Sequence, residues 1–98
     1  MPSYIIFNYE ITDRSKIEEL SRRSKISDAN SAYKPKLIAA TCVDTVEGEA
    51  LPHLVMYEFE NIETATSWYY EDSAKDVSAL RKEITNGWVS IIPGCSTE

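Results

Sequence analysis

The tract from Ser3 to Ile11 is apolar on both of the faces that a β-strand presents. Alternate side chains along a strand point to opposite sides of a sheet. One side of this strand carries Ile5, Phe7, Tyr9 and Ile11. The opposite side carries Tyr4, Ile6, Asn8 and Glu10. Because apolar side chains on both sides favour burial, the tract predicts a sheet that is covered on both of its faces.

Three further tracts have the β-branched and aromatic composition of strands. They are predicted over Leu37–Val46, Pro52–Glu60 and Trp88–Ile92. The turn residues Glu47-Gly48-Glu49 join the first two of these strands and predict an antiparallel hairpin. By the same alternation, Val55, Tyr57, Phe59, Val89 and Ile91 are expected on the side of the sheet that also carries Ile5 and Phe7.

The first helix is predicted from Arg14 to about Asn30, with Asp13 as its N-cap. Its inward stripe is narrow and consists of Ile17, Leu20 and Ser24, at spacings of three and four residues. The segment Tyr33-Lys34-Pro35 ends the helix, because a residue before proline avoids the α region.

The second helical tract is capped by Asn61 and interrupted at Glu71-Asp72-Ser73. Its expected inward stripe consists of Ile62, Ala65, Thr66 and Tyr69. The tract resumes at Ser73, where Val77, Leu80 and Ile84 again recur at helical spacing. Asn86-Gly87 is expected to close it, with Gly87 in the left-handed conformation that ends many helices.

The resulting order is βαββαβ, the split βαβ unit. It predicts an α+β, ferredoxin-like fold with a four-stranded antiparallel sheet and helices on one face. A chain of 98 residues has room for one such domain. We therefore expect a single domain over residues 1–98, with a core over 2–94 and a tail over 95–98.

The sheet face that carries no helix is itself apolar. Its large side chains are Tyr4, Ile6, Leu54, Met56, Trp88 and Ile92. A contiguous patch of this kind exceeds what monomeric proteins usually leave in water. Two copies packed face to face would bury it, so the sequence predicts a homodimer through this face.

Charge and cysteine content exclude several classes of function. Ten basic and sixteen acidic residues give a net charge of −6, so neither nucleic acid nor an anionic membrane surface is an expected partner. The apolar run Tyr4–Phe7 is too short for a signal peptide. Cys42 and Cys95 could form at most one disulfide, and the favoured interpretation is a reduced cytoplasmic protein with two free thiols. No Ser-His-Asp set, phosphate loop or Cys-X-X-Cys spacing occurs, so no cofactor and no metal is expected.

Several motifs resemble the family known as domain of unknown function 1330. In order along the chain they are PSYIIFNYEITD, VEG, LVMYEF, TATSWYY and ALRKE. The resemblance runs from Pro2 to about Gly94, and its most specific elements are Glu47-Gly48, Trp68-Tyr69 and Arg81. It implies a homodimeric barrel of the dimeric α/β-barrel superfamily, which also contains cofactor-independent monooxygenases, muconolactone isomerases and haem-handling proteins.

This chain departs from the family pattern at three places. A glycine pair usually precedes the second strand, where this chain has Lys34-Pro35. A basic residue, commonly arginine, usually opens the third strand, where it has His53. A Ser-Pro turn usually follows the Trp-Tyr pair, where it has Glu71-Asp72. If the family shares a ligand, His53 in place of the usual arginine weakens the case for a fixed anion clamp at that position.

Three residues are candidates for chemistry. His53, the only histidine, has the intrinsic pKa of a general acid or base, although a packing role at the strand end is the alternative. Glu58 would have a raised pKa if buried, or would hydrogen-bond across a dimer. Arg81 could bind an anionic substrate bidentately, or could form an intramolecular ion pair with Glu58 or Asp76.

Four residues are candidates for ligand binding: Asn8, Tyr33, Trp68 and Tyr69. Neighbouring residues on a helix point in different directions, so Trp68, Tyr69 and Tyr70 cannot all enter the core. We expect one to pack on the sheet, one to lie at a cavity mouth and one to be exposed. For Asn8 the alternative is a hydrogen bond that sets the register of a dimer, and for the aromatic residues it is ordinary packing.

Together these residues support a hypothesis of a small, largely apolar pocket between sheet and helices. It would bind or transform a small organic molecule without a tightly bound cofactor, by proton transfer or oxygenation. The alternative is a non-catalytic homodimer in which the polar candidates serve only fold and interface.

Overall fold

The computed structural model describes residues 1–94, apart from the side chains of residues 72–75. The strands are β1 (Ser3–Ile11), β2 (Lys36–Cys42), β3 (His53–Phe59) and β4 (Thr85–Pro93). The helices are α1 (Ile17–Ala29), α2 (Ile62–Tyr70) and α3 (Asp72–Ile84). The predicted tail, including Cys95, lies outside the described residues.

The strands form one antiparallel sheet in the order β2-β3-β1-β4. β1 is a central strand, in which Ile6 lies opposite Met56 of β3 and Ser90 of β4. β2 pairs with β3 as the predicted hairpin, and Gly48 in the connection has a φ of 74°. This order and pairing confirm the ferredoxin-like fold.

The core lies between the sheet and α2. It is built from the predicted inward side chains of β1 and β3 and from two residues of α2: Ile5, Phe7, Tyr57, Phe59, Ala65 and Trp68. Val89 and Ile91 of β4 pack against this cluster. Asn61 caps α2 as predicted, because its Oδ1 accepts from the Thr64 backbone N–H at 2.8 Å.

The first helix begins later than predicted. Asp13 Oδ1 accepts from the Ser15 backbone N–H at 2.9 Å, and this cap starts a 3-10 turn over Arg14–Lys16. α1 itself begins at Ile17 and contains no buried residue. It therefore stands over the sheet without being packed tightly into the core.

The prediction that Asn86-Gly87 closes α3 is wrong, because both residues belong to β4. The carbonyl oxygens at the end of α3 find other donors. The backbone N–H and the hydroxyl of Thr85 both donate to the Arg81 carbonyl oxygen. The Thr12 N–H binds the Ile84 carbonyl oxygen at 2.8 Å. With these carbonyls paired, the helix needs no left-handed glycine and passes directly into the strand.

β2 is shorter than predicted and ends at Cys42, four residues before Val46. Its register with β3 shifts between Leu37 and Ala39, which is the mark of a β-bulge. The extra residue at the bulge breaks the strict alternation on which the predicted strand rested.

The second face of the sheet carries no helix in the described chain. By register it presents the predicted apolar side chains, of which Trp88 and Ile92 are 50% and 38% exposed. The shortest dimension of the molecule is 16 Å, the thickness of one sheet and one helical layer. None of the helices within residues 1–94 has the length and apolar character that crossing a membrane requires.

Candidate functional site

A cavity of about 370 Å³ lies between the inner face of the sheet and the helices α1 and α3. It exists because the inward stripe of α1, Ile17, Leu20 and Ser24, faces the sheet across a gap. Its wall is mostly apolar and aromatic. The sheet and α2 contribute Phe7, Tyr9, Leu37, Val55, Tyr57, Trp68 and Tyr69. The volume falls at the small end of the range for small-molecule sites.

The aromatic run on α2 divides into the three expected positions, but Trp68 rather than Tyr69 takes the one in the core. Trp68 is 9% exposed, and its ring lies 5.2 Å from that of Phe59 and 5.3 Å from that of Tyr57. Tyr69 borders the cavity, and Tyr70 is 67% exposed. Trp68 thus forms part of both the core and the cavity floor.

Arg81 brings a positive charge to this apolar space. Its guanidinium lies 5.0 Å from the centroid of the Phe7 ring and donates to Ser78 Oγ at 3.0 Å. It also borders a second cavity of about 190 Å³ at the β1–β4 side. The alternative of an ion pair with Glu58 or Asp76 is not realised, since among the described residues no carboxylate lies within ion-pair distance of it.

Asp28 and Tyr57 form a polar pair in the cavity wall that the sequence analysis missed. The Tyr57 hydroxyl donates to Asp28 Oδ2 at 2.6 Å. Burial raises the pKa of Asp28, although the hydrogen bond from Tyr57 opposes this rise. Burial and the neighbouring Asp28 together raise the pKa of Tyr57 well above its usual range.

Two signals in the sequence could have found this pair. The stripe Ile17, Leu20, Ser24 continues at the next helical spacing to Asp28. Tyr57 was placed on the inward face with no partner for its hydroxyl, and a buried tyrosine hydroxyl usually has one.

His53 lies at the start of β3, outside the cavity wall. Its ring stacks on that of Tyr9 at 5.4 Å, and its Nδ1 lies 3.7 Å from Cys42 Sγ. In the described part of the chain, no three His, Cys, Asp or Glu side chains gather as metal ligands would. Any role for His53 in chemistry stays a prediction.

Asn8 also lies outside the cavity, and it is almost fully buried. Its amide nitrogen donates to the Leu51 and His53 carbonyl oxygens at 3.0 and 2.8 Å, and its oxygen accepts from the Leu51 N–H at 3.2 Å. These bonds tie β1 to the segment that leads into β3. The amide is therefore occupied within the chain.

Glu58 and Tyr33 occupy two other positions. By register Glu58 lies on the uncovered face, between Lys36 of β2 and Tyr4 of β1. The Tyr33 hydroxyl donates to Glu71 Oε1 at 2.5 Å, and this bond raises the pKa of Tyr33. Of the seven candidates, the structure thus brings Trp68, Tyr69 and Arg81 together at the cavity.

Solved structures of several proteins share this fold. A variant of SnoaB, a cofactor-independent oxygenase from Streptomyces nogalater, superposes with a TM-score of 0.69 at 5% identity, over 98% of this chain and 95% of that one. A hypothetical Arabidopsis thaliana protein gives 0.68 at 15% identity, over 99% and 91%. An antibiotic biosynthesis monooxygenase gives 0.58 at 11% identity, over 98% and 100%. At these identities the likeness shows the ferredoxin-like fold alone.

No curated protein has a significant sequence match to this chain. A family model, the domain of unknown function DUF1330, matches residues 2–95. The match covers nearly the whole chain and includes the strand, hairpin and helix motifs that carried the resemblance. The chain therefore belongs to the DUF1330 family.

Proposed function

We propose that this protein binds a small organic acid with an apolar, ring-containing body in the cavity between the sheet and α1, without a tightly bound cofactor. The observation that carries the proposal is the Arg81 guanidinium, which borders an apolar cavity and has no carboxylate partner among the described residues. A charge in such surroundings is stabilised by an anion that enters the cavity.

The walls of the cavity support the same class of ligand. Trp68, Tyr69 and Phe7 offer aromatic surfaces on which a ring can pack. A carboxylate hydrogen-bonded to Arg81 would lie in low-dielectric surroundings, where charge-assisted hydrogen bonds are stronger than in water. Contact between the ligand's ring and the aromatic walls would then supply most of the affinity. Arg81 would favour an acid over a neutral molecule of the same shape.

Titration with benzoate and with its neutral counterpart benzamide tests this proposal. Chemical shifts of the backbone amides are followed by NMR for the wild type and for Arg81→Gln. Loss of one hydrogen bond to a charged group is worth about 1.5–3 kcal/mol, so Arg81→Gln should weaken benzoate binding about 10- to 100-fold. Binding of benzamide should change little.

Arg22→Gln is the matched control, because Arg22 lies on α1 away from the cavity and beside Glu19. It should bind benzoate like the wild type. Failure of the wild type to bind either compound or related aromatic acids would reject the proposal. Equal binding by the wild type and Arg81→Gln would reject the role of Arg81.

We propose further that a second copy of the chain covers the open face of the sheet. Exposed Trp88 and Ile92 support this, as does the absence of any helix on that side within residues 1–94. Cys42 is exposed and forms no disulfide with another described residue, which supports the cytoplasmic location predicted from the sequence.

The alternative, a homodimer without small-molecule chemistry, is favoured by one observation. The side-chain amide of Asn8, one of the candidate ligand-binding residues, forms hydrogen bonds with the backbone of Leu51 and His53 and therefore stabilises the fold. The same titration decides between the two functions, since this alternative predicts no binding of any acid at the cavity.

A further inference from the structure

The carboxylate of Asp28 is placed where it adds little to the stability of the fold. It is half-buried in the wall of the cavity, and Tyr57 is the donor that binds it among the described residues. It lies in the last turn of α1, where the helix dipole disfavours negative charge, and no basic residue of that turn compensates it. Among the described residues no lysine, arginine or histidine side chain lies within ion-pair distance of the Asp28 carboxylate.

The hydrogen bond from Tyr57 holds this carboxylate in one orientation. The Tyr57 ring is packed against Phe7 at 6.2 Å and Trp68 at 5.3 Å, so its hydroxyl has a fixed position. The raised pKa of Tyr57 keeps the hydroxyl protonated. Tyr57 therefore remains the donor to Oδ2, and Oδ1 of this cavity-lining carboxylate has no hydrogen-bond partner among the described residues.

Arg81 borders the same cavity from α3. If the cavity binds an acid as proposed, Arg81 would hold the acid's carboxylate and Asp28 could accept a proton from a carbon next to a ketone of the same molecule. The desolvated carboxylate is a stronger base than one in water, since burial raises the pKa of Asp28.

We propose that Asp28 is the catalytic base for proton abstraction from a small 2-oxo acid whose carboxylate is bound by Arg81, with Tyr57 as the positioning residue. This inference rests on the proposed function of the cavity. In the step, the C–H bond next to the ketone breaks and an O–H bond forms on Asp28. The electron pair of the C–H bond forms the carbon–carbon double bond of the enolate, and the carbonyl oxygen takes the negative charge. Return of a proton to carbon completes an exchange that needs no oxidant and no cofactor.

The test uses phenylpyruvate in D2O, with loss of its CH2 signal followed by proton NMR and corrected for the rate without protein. Binding is measured separately with 3-phenylpropionate, which has the same ring and carboxylate but no ketone. We expect the wild type to bind 3-phenylpropionate and to accelerate exchange. Asp28→Asn should keep that binding and lose about 100-fold or more of the acceleration. Glu18→Gln, an exposed carboxylate on the same helix, is the matched control and should exchange like the wild type.

Tyr57→Phe provides a second readout. The Tyr57 hydrogen bond lowers the pKa of Asp28, so its removal should move the acid limb of the pH–rate profile to higher pH. Other charged or titratable groups that line the cavity are Lys25 on α1, Arg81 on α3, Tyr9 on β1 and Tyr69 on α2. The substitution leaves these groups in place, so the shift reports on Asp28.

The two proposals fail in different ways. Exchange that is unchanged in Asp28→Asn, or a wild type that binds 3-phenylpropionate without accelerating exchange, overturns the role of Asp28 and leaves the binding site intact. A wild type that binds neither 3-phenylpropionate nor benzoate overturns the proposed function and the base together.

Discussion

Lys34 adopts a φ of 51°, the one positive value at a non-glycine residue in the described chain. Side chains with a Cβ disfavour this left-handed region by roughly 1–2 kcal/mol. The DUF1330 pattern usually has a glycine pair where this chain has Lys34-Pro35. Glycine adopts this backbone conformation without strain, whereas in this chain a lysine adopts it.

Lys34→Gly should therefore stabilise the protein. Relief of the left-handed strain outweighs the greater freedom of glycine in the unfolded chain, so we expect a gain of about 0.5–1 kcal/mol in the free energy of unfolding. Urea denaturation measures it. Lys36→Gly, in the extended backbone of β2, is the control and should destabilise the protein. A loss of stability in Lys34→Gly would mean that the Lys34 side chain makes a contact worth more than the strain.

The positions of some cavity residues could be predicted from the sequence, whereas those of others could not. Helical spacing predicted that Trp68, Tyr69 and Tyr70 take three different positions, because the direction of a side chain on a helix depends on its place along the chain. It placed Tyr69 inward, where the structure has Trp68 in the core. Asp28 and Tyr57 are 29 residues apart. Their hydrogen bond depends on how α1 sits over β3, which no local pattern contains.

At the scale of elements, β4 differs most from its predicted form. Its first residues, Thr85 to Gly87, pair with the end of β1, and Gly87 lies opposite Tyr9. A Cβ on Gly87 would lie 2.6 Å from the Tyr9 Cα and closer still to the Asn8 carbonyl oxygen. Glycine is thus required here by the close approach of β1, where the sequence pattern suggested a helix cap.

Gly87→Ala should destabilise the protein by about 1–3 kcal/mol, since backbone atoms must move to admit the methyl group. Gly48→Ala is the comparison. Its Cβ would enter open space, and its φ of 74° imposes only backbone strain, worth about 1 kcal/mol. Thermal or urea unfolding of both variants gives the ranking. If Gly48→Ala were the more damaging, the tight β1–β4 approach would be refuted.

At the scale of the molecule, the sheet is covered by helices on one face only within the described residues. Ile6 and Met56 lie opposite each other near the middle of the uncovered face, with Trp88 and Ile92 toward its β4 side. An apolar surface of this kind favours association, and a two-fold pairing of identical faces is the simplest closed form.

Met56→Glu should convert the proposed dimer to a monomer. A carboxylate in the centre of an apolar interface would have to be desolvated without a partner, and we expect the dimer dissociation constant to rise at least about 100-fold. Light scattering across a concentration series measures the change. Val46→Glu, in the exposed β2–β3 connection, should leave the dimer intact. A Met56→Glu protein that stays dimeric would show that the interface lies elsewhere, and a monomeric wild type would reject the dimer.

Four features could be predicted from the amino-acid sequence: the element order, the hairpin, the inward side chains of β1 and β3, and the family. These features depend on periodicity and on turn chemistry, which are local properties of the chain. Long-range packing set the gap beneath α1, the pairing of Asp28 with Tyr57 and the passage of α3 directly into β4. It also left Arg81 without a carboxylate partner among the described residues. Each of these depends on the distance between elements far apart in sequence, and that distance is set by packing of the whole fold.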